Sequence, residues 1–157
     1  MGLGLTILFF IGGQTVVEVK TGSDPKDSSN GRFPTEFFSQ DGTSCKMQDL
    51  DNPHKNDFES GQVDQFTGSM LGPCETFQPE KISSVKITHA SGEGWRGVYL
   101  RISYGEKSFI CKLGKMLDKK ASITFPCEGS SKGKINTESQ SPSVHPVLTT
   151  SWECALN

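Results

Sequence analysis

The stretch Asn56-Asp57-Phe58-Glu59-Ser60-Gly61-Gln62-Val63-Asp64-Gln65-Phe66, with Leu71-Gly72-Pro73 close behind it, decides how the chain is read. Phe58 and Phe66 are large apolar residues that bury well, and Gly61 between them permits a turn or a close backbone approach. Asp64 is expected to hydrogen-bond that turn. For Glu59 and Asp64 alike, side-chain chemistry favours a carboxylate that satisfies backbone N–H groups over one that holds a ligand. The segment reads as core and turn.

Working outward, the flanking sequence is strand-like. Val16, Val17 and Val19 are β-branched and alternate with Glu18 and Lys20, and Thr21-Gly22-Ser23-Asp24-Pro25 punctuates the end. Thr35–Ser39 is expected to pair with Ser44–Gln48 around the turn signal Asp41-Gly42. Asn52-Pro53 breaks the segment between Asp49 and Asp57, which is expected to be an exposed loop. Further on, Ile82–His89, Val98–Tyr104, Ser108–Lys112 and Ala121–Cys127 repeat the two-residue alternation. No stretch carries a long helical period, so the pattern predicts an all-β, antiparallel β-sandwich of about eight strands.

The motif is similar to the centre of the PLAT (lipoxygenase-homology) family, in which F-E-x-G-x-x-D-x-F is followed by Leu-Gly. Here those positions are Phe58, Glu59, Gly61, Asp64, Phe66, Leu71 and Gly72. Val16–Gly22 resembles the family's opening V-x-V-x-T-G, and Ile82–His89 with Gly94-Trp95 resembles its later strand and Gly-Trp pair. The three pieces stand in the family's order over about Val16–Ile102. The family's small-residue opening after the first turn is replaced by Ser29-Asn30-Gly31-Arg32-Phe33-Pro34. The resemblance implies a PLAT-like sandwich that binds through loops at one end. It also implies a divergent, free-standing form, because the family's enzyme-attached modules are poor in cysteine.

Leu3–Ile11 is nearly pure apolar sequence and too short for the roughly 20 residues that span a bilayer. It suits a secretory h-region, so residues 1–13 are expected to be a signal peptide, 14–127 the sandwich and 128–157 a Ser/Thr-rich extension. The five cysteines, Cys45, Cys74, Cys111, Cys127 and Cys154, contain no C-x-x-C pair, which favours disulfides in an extracellular protein over a zinc site. Sequence does not fix their connectivity; Cys45 with Cys74 and Cys111 with Cys127 is the preferred pairing. Five is odd, so Cys154 is expected to be left over and able to link two chains.

For function, the net charge of −2 argues against a nucleic-acid binder. No G-x-S-x-G, H-E-x-x-H or P-loop occurs, and His54, His89 and His145 lack motif neighbours, so a non-enzymatic protein is expected. Asp49, Asp51 and Asp57, with Asp24 and Asp27, form an acidic set that could offer oxygen ligands to calcium, which some PLAT domains bind through end loops. Trp95, Arg96 and Tyr99, in and after a glycine-rich bend, are a contact set for a ligand or membrane; burial of Trp95 is the competing and favoured reading. The expected function is a secreted PLAT-like module engaging extracellular protein, lipid or membrane surfaces, a description that also suits a venom or defence effector. The alternative is a structural matrix or mucus protein cross-linked through cysteine.

Overall fold

The computed structural model describes residues 13–53 and 55–131. The expected signal peptide and the extension beyond Ser131, with Trp152 and Cys154, lie outside the described residues, as does His54. Among the described residues nine strands form: β1 (Val16–Thr21), β2 (Thr35–Ser39), β3 (Ser44–Met47), β4 (Val63–Thr67), β5 (Ile82–Thr88), β6 (Trp95–Tyr104), β7 (Lys107–Lys112), β8 (Met116–Leu117) and β9 (Ser122–Ser131). All pairings are antiparallel, in the order β3-β2-β5-β9-β7-β6-β1-β4, with β8 added to β6.

One strand turns this ladder into a sandwich. The first half of β9 pairs with β5 through Ser122–Pro126, and its second half pairs with β7 through Cys127–Ser131. The sheet therefore curls at β9 into two layers. Alternation sorts the side chains: in β1, Val17, Val19 and Thr21 point inward while Val16, Glu18 and Lys20 are half-buried. Val17, Phe66, Leu100 and Ile102 meet Phe37, Met47, Val85, Ile87 and Phe125 in one core. Each such side chain contributes about 1.5–3 kcal/mol by leaving water.

Two disulfides reinforce the ladder, Cys45–Cys74 and Cys111–Cys127, the pairing preferred from sequence. The first ties β3 to a 3-10 segment, Gly68–Thr76, whose Leu71 and Cys74 are buried. The second joins directly opposed residues of β7 and β9. Strand β9 continues past Cys127, the expected end of the sandwich, to Ser131. Glu128–Ser131 is polar, but backbone pairing to β7 requires N–H and C=O groups rather than apolar side chains.

The connections 22–34, 48–62, 89–94 and 113–121 all follow from strand direction to one end of the sandwich. The connections 40–43, 68–81 and 105–106 lie at the other, together with Gly13 and the end of β9.

Candidate functional site

The loop end is built on Asp64. This β4 residue points inward and is wholly buried, yet its carboxylate is fully occupied. Oδ2 accepts the Phe58 N–H at 2.9 Å, and Oδ1 accepts from Lys55 Nζ at 2.9 Å and from Gln62 Nε2. Closing that loop forces Phe58 to φ +62°, a conformation an aromatic residue rarely adopts. Gly61, at φ +72°, takes the other left-handed position without strain. The cost at Phe58 is about 1–3 kcal/mol, offset by a buried aromatic cluster. Its ring lies 5.1 Å from Phe33 and 5.2 Å from Trp95, both edge-on. Glu59, the other acid of the motif, accepts instead from the Asn56 side chain at 2.6 Å.

Above this cluster, residues 29–32, 49–51 and 55–58 surround a hollow of about 230 Å³. Asp49, Asp51 and Asp57 all line it, so the tertiary fold does bring the acidic set together. Asp49 and Asp57 each accept two hydrogen bonds, one on each carboxylate oxygen. Asp49 accepts the Phe33 N–H at 2.8 Å and the Arg32 Nε at 2.5 Å, and this pairing raises the Arg32 guanidinium further. Asp57 accepts both the backbone N–H and the side-chain amide of Asn52, at 2.6 and 2.8 Å. Burial nonetheless pushes its carboxyl up, since withdrawal from water outweighs those two bonds. Asp24 caps a short 3-10 turn, and Asp27 sits 3.6 Å from Arg96 Nε. Among the described residues no group of three His, Cys, Asp or Glu side chains converges to hold a metal ion. The expected calcium ligands therefore line one hollow, in which Asp49 is paired with Arg32 and Asp57 with Asn52.

The contact set divides. Trp95 is wholly buried and its Nε1 donates to Thr21 Oγ1 at 3.1 Å, so it closes the sandwich end rather than meeting a partner. Arg96 is exposed and Tyr99 half-buried on the outer face of β6. Tyr99 belongs to a cluster that sequence reading missed. Glu18 Oε1 accepts from the Tyr99 hydroxyl at 2.9 Å and from Arg101 at 3.2 Å, and its Oε2 accepts from Gln65 at 3.0 Å. Burial and the Glu18 charge push the Tyr99 hydroxyl up. The outward positions of three neighbouring strands meet here, and only strand order could reveal that.

A second missed feature is the 113–121 connection. Lys115, Lys119 and Lys120 on it are exposed, and among the described residues none of the three forms an ion pair. Beside it lies Val98, 48 % exposed, whose carbonyl accepts the Leu113 N–H. Val98 stands at a bulge between β1 and β6, where the register shifts between Lys20 and Thr21.

Compared with protein-family models, the sequence matches none, and it matches no curated protein. Solved structures do resemble it. The alpha toxin from Clostridium absonum superposes with a TM-score of 0.57 at 20 % identity, over 71 % of this chain and 30 % of that one. Coral 8R-lipoxygenase, an enzyme activated by calcium through a C2-like domain, gives 0.56 at 20 % identity, over 72 % and 17 %. The alpha-toxin of Clostridium perfringens avian strain SWCP gives 0.55 at 14 % identity, over 72 % and 31 %. The chain thus spans less than a third of each of these proteins. At such identities the likeness shows the fold, a PLAT/C2-like β-sandwich.

Proposed function

We propose that this PLAT/C2-like sandwich is a secreted, non-enzymatic module whose loop end docks on an anionic lipid or membrane surface. The observation that carries the proposal is that Lys115, Lys119 and Lys120, exposed and without ion pairs among the described residues, lie on the 113–121 connection at that end, whose Leu113 N–H bonds to the carbonyl of exposed Val98. Each cation near an anionic leaflet contributes about 1 kcal/mol, and an exposed apolar side chain adds insertion into the interface. The strand ends hold these loops on a rigid frame. Gly13 and Ser131 lie at the opposite end. Two intrachain disulfides fit an oxidising compartment, and no described helix is long and apolar enough to cross a membrane.

Flotation with neutral and anionic vesicles, with and without calcium, tests this. Binding should require anionic lipid, weaken with salt and persist without calcium. Lys119→Glu combined with Lys120→Glu should abolish it. Failure to float with anionic vesicles at low salt would sink the reading; strict dependence on calcium would reinstate a metal at the Asp49, Asp51 and Asp57 hollow.

A second reading rests on cysteine arithmetic. The two disulfides use four of five cysteines and leave Cys154. A structural extracellular protein joined through Cys154 would run as a dimer in non-reducing electrophoresis and as a monomer after Cys154→Ser.

A further inference from the structure

Asp27 is buried in the 22–34 connection, yet its Oδ1 accepts no hydrogen bond among the described residues. The other oxygen accepts the Asp24 N–H at 3.3 Å. A buried carboxylate oxygen without a donor is unfavourable unless a cation stands beside it. That cation is Arg96, whose Nε lies 3.6 Å from Oδ1 while its side chain stays 46 % exposed. Gly22 makes room for the carboxylate, since a Cβ added there would collide with it, and the Gly22 N–H donates to the Arg96 carbonyl at 2.9 Å.

Asp27 is the only ion-pair partner of Arg96 among the described residues, and it meets the guanidinium at Nε. The two Nη nitrogens are left as a planar fork of donors. In the β6–β8 pairing Arg96 stands directly opposite Met116, so Lys115 is the next residue along, and exposed Val98 lies two residues further in β6. The carboxylate offsets most of the guanidinium charge, so Arg96 adds little undirected attraction to the loop end. What it supplies is N–H groups held in a fixed direction.

We infer that Arg96 recognises the terminal phosphate of a phosphomonoester lipid headgroup, its two Nη groups donating to two phosphate oxygens, and that Asp27 is the residue that positions it. The inference rests on the lipid reading above and names the headgroup. An arginine fork matches the paired oxygens of a phosphate, and a terminal phosphate keeps a further oxygen for Lys115. A serine headgroup instead sets an ammonium beside its carboxylate, and the cations of this end repel it. Asp27 carries the wrong sign for an anionic surface. Acting through Arg96 and acting as a bare charge therefore predict opposite effects when Asp27 is neutralised.

The test floats the full chain with phosphatidylcholine vesicles that carry either phosphatidic acid or phosphatidylserine, matched in surface potential. The parent should prefer phosphatidic acid by about tenfold, the effect of one charge-assisted hydrogen bond. Arg96→Lys keeps the charge and should bind both vesicles alike. Asp27→Asn makes the chain more positive and should still lose the preference. Gly22→Ala leaves every charge in place, displaces Asp27 and should do the same. Because the preference is a ratio within one variant, a loss of stability common to both vesicles cancels, and circular dichroism checks that each variant is folded. Equal binding of the parent to both vesicles overturns the inference and leaves the lipid reading standing; binding to neither overturns both. A stronger preference in Asp27→Asn would make Asp27 a mere opposing charge and overturn its positioning role. In a parallel titration with glycerol phosphate, a saturable shift of the Arg96 Nε–H resonance without any vesicle preference would assign the fork to a soluble phosphate and overturn the headgroup assignment.

Discussion

Trp95 Nε1 donates to Thr21 Oγ1 at 3.1 Å, and both residues are wholly buried. The bond joins the start of β6 to the end of β1 at the loop end. Beneath it, Trp95 packs on Phe33 at 5.0 Å and on Phe58. The indole is thus the keystone of the frame that carries the loop end.

Replacing Trp95 should therefore act on stability. Trp95→Ala is expected to cost about 3–5 kcal/mol in urea unfolding, and Trp95→Phe about 1–3, part of it from a stranded Thr21 hydroxyl. Adding Thr21→Val to Trp95→Phe should recover that part. No recovery in the double variant would show that the hydrogen bond contributes nothing.

Asp64→Asn should destabilise by about 2–4 kcal/mol, because an amide cannot accept from Phe58 N–H, Lys55 and Gln62 together in a buried place. Lys55→Met should cost much less, since Lys55 is half exposed. The comparison is read from denaturant midpoints, and equal costs for the two would count against Asp64 as the organiser of the loop.

Tyr104 predicts an alkaline effect. Burial, followed by the Glu80 charge, pushes its hydroxyl up to about 12, and it donates to the Pro79 carbonyl at 2.6 Å. The folded state therefore holds this proton more tightly than the unfolded chain, whose phenol ionises near 10.0. The associated stability is complete below pH 10 and falls as pH rises from there toward 12. Tyr104→Phe should remove that fall, and ultraviolet titration of phenolate should show a late-ionising tyrosine that the variant lacks.

Asp57 predicts the opposite use of a raised value. Its neutral form is favoured by burial, so the folded protein takes up a proton above the ordinary carboxyl value of 3.8. Ionised Asp57 weakens the fold at neutral pH, and this penalty is relieved as pH falls through the raised value toward 3.8. The stability difference between the parent and Asp57→Asn should shift in the parent's favour on acidification, as measured by urea unfolding at several pH values. A difference that does not change with pH would remove the argument.

Converting both Cys45 and Cys74 to Ser should cost about 3–4 kcal/mol, from a sequence separation of 29 residues. It should also loosen the Gly68–Thr76 cover before the rest of the sheet, seen as faster amide exchange in β3 than in β6.

The strands read from alternation recur in the structure because each has one face in the core: Ile82–Thr88 and Lys107–Lys112 differ from expectation by a residue. β6 begins three residues earlier than its alternation suggested, at Trp95, because the bulge at Val98 breaks the period. β4 was visible only as a motif. Its five residues carry two apolar side chains and are made a strand by pairing with β1. β8, two residues long, exists only through β6. The acidic set was legible as a group, but not the Arg32 and Asn52 partners that occupy it, since those contacts close across loops.

By itself the sequence determined the strand periodicity, the Phe58–Phe66 motif and hence a PLAT-like sandwich. These are local consequences of side-chain alternation and of a turn that tolerates Gly61. Only the tertiary structure decided that Trp95 faces inward, that Asp49 pairs with Arg32 and Asp57 with Asn52, that the 113–121 connection bonds to Val98 through Leu113, and that β1 is the only strand partner of β4 among the described residues. Each of those depends on which distant segment lies alongside, and strand order, unlike strand period, is not written in any single stretch of chain.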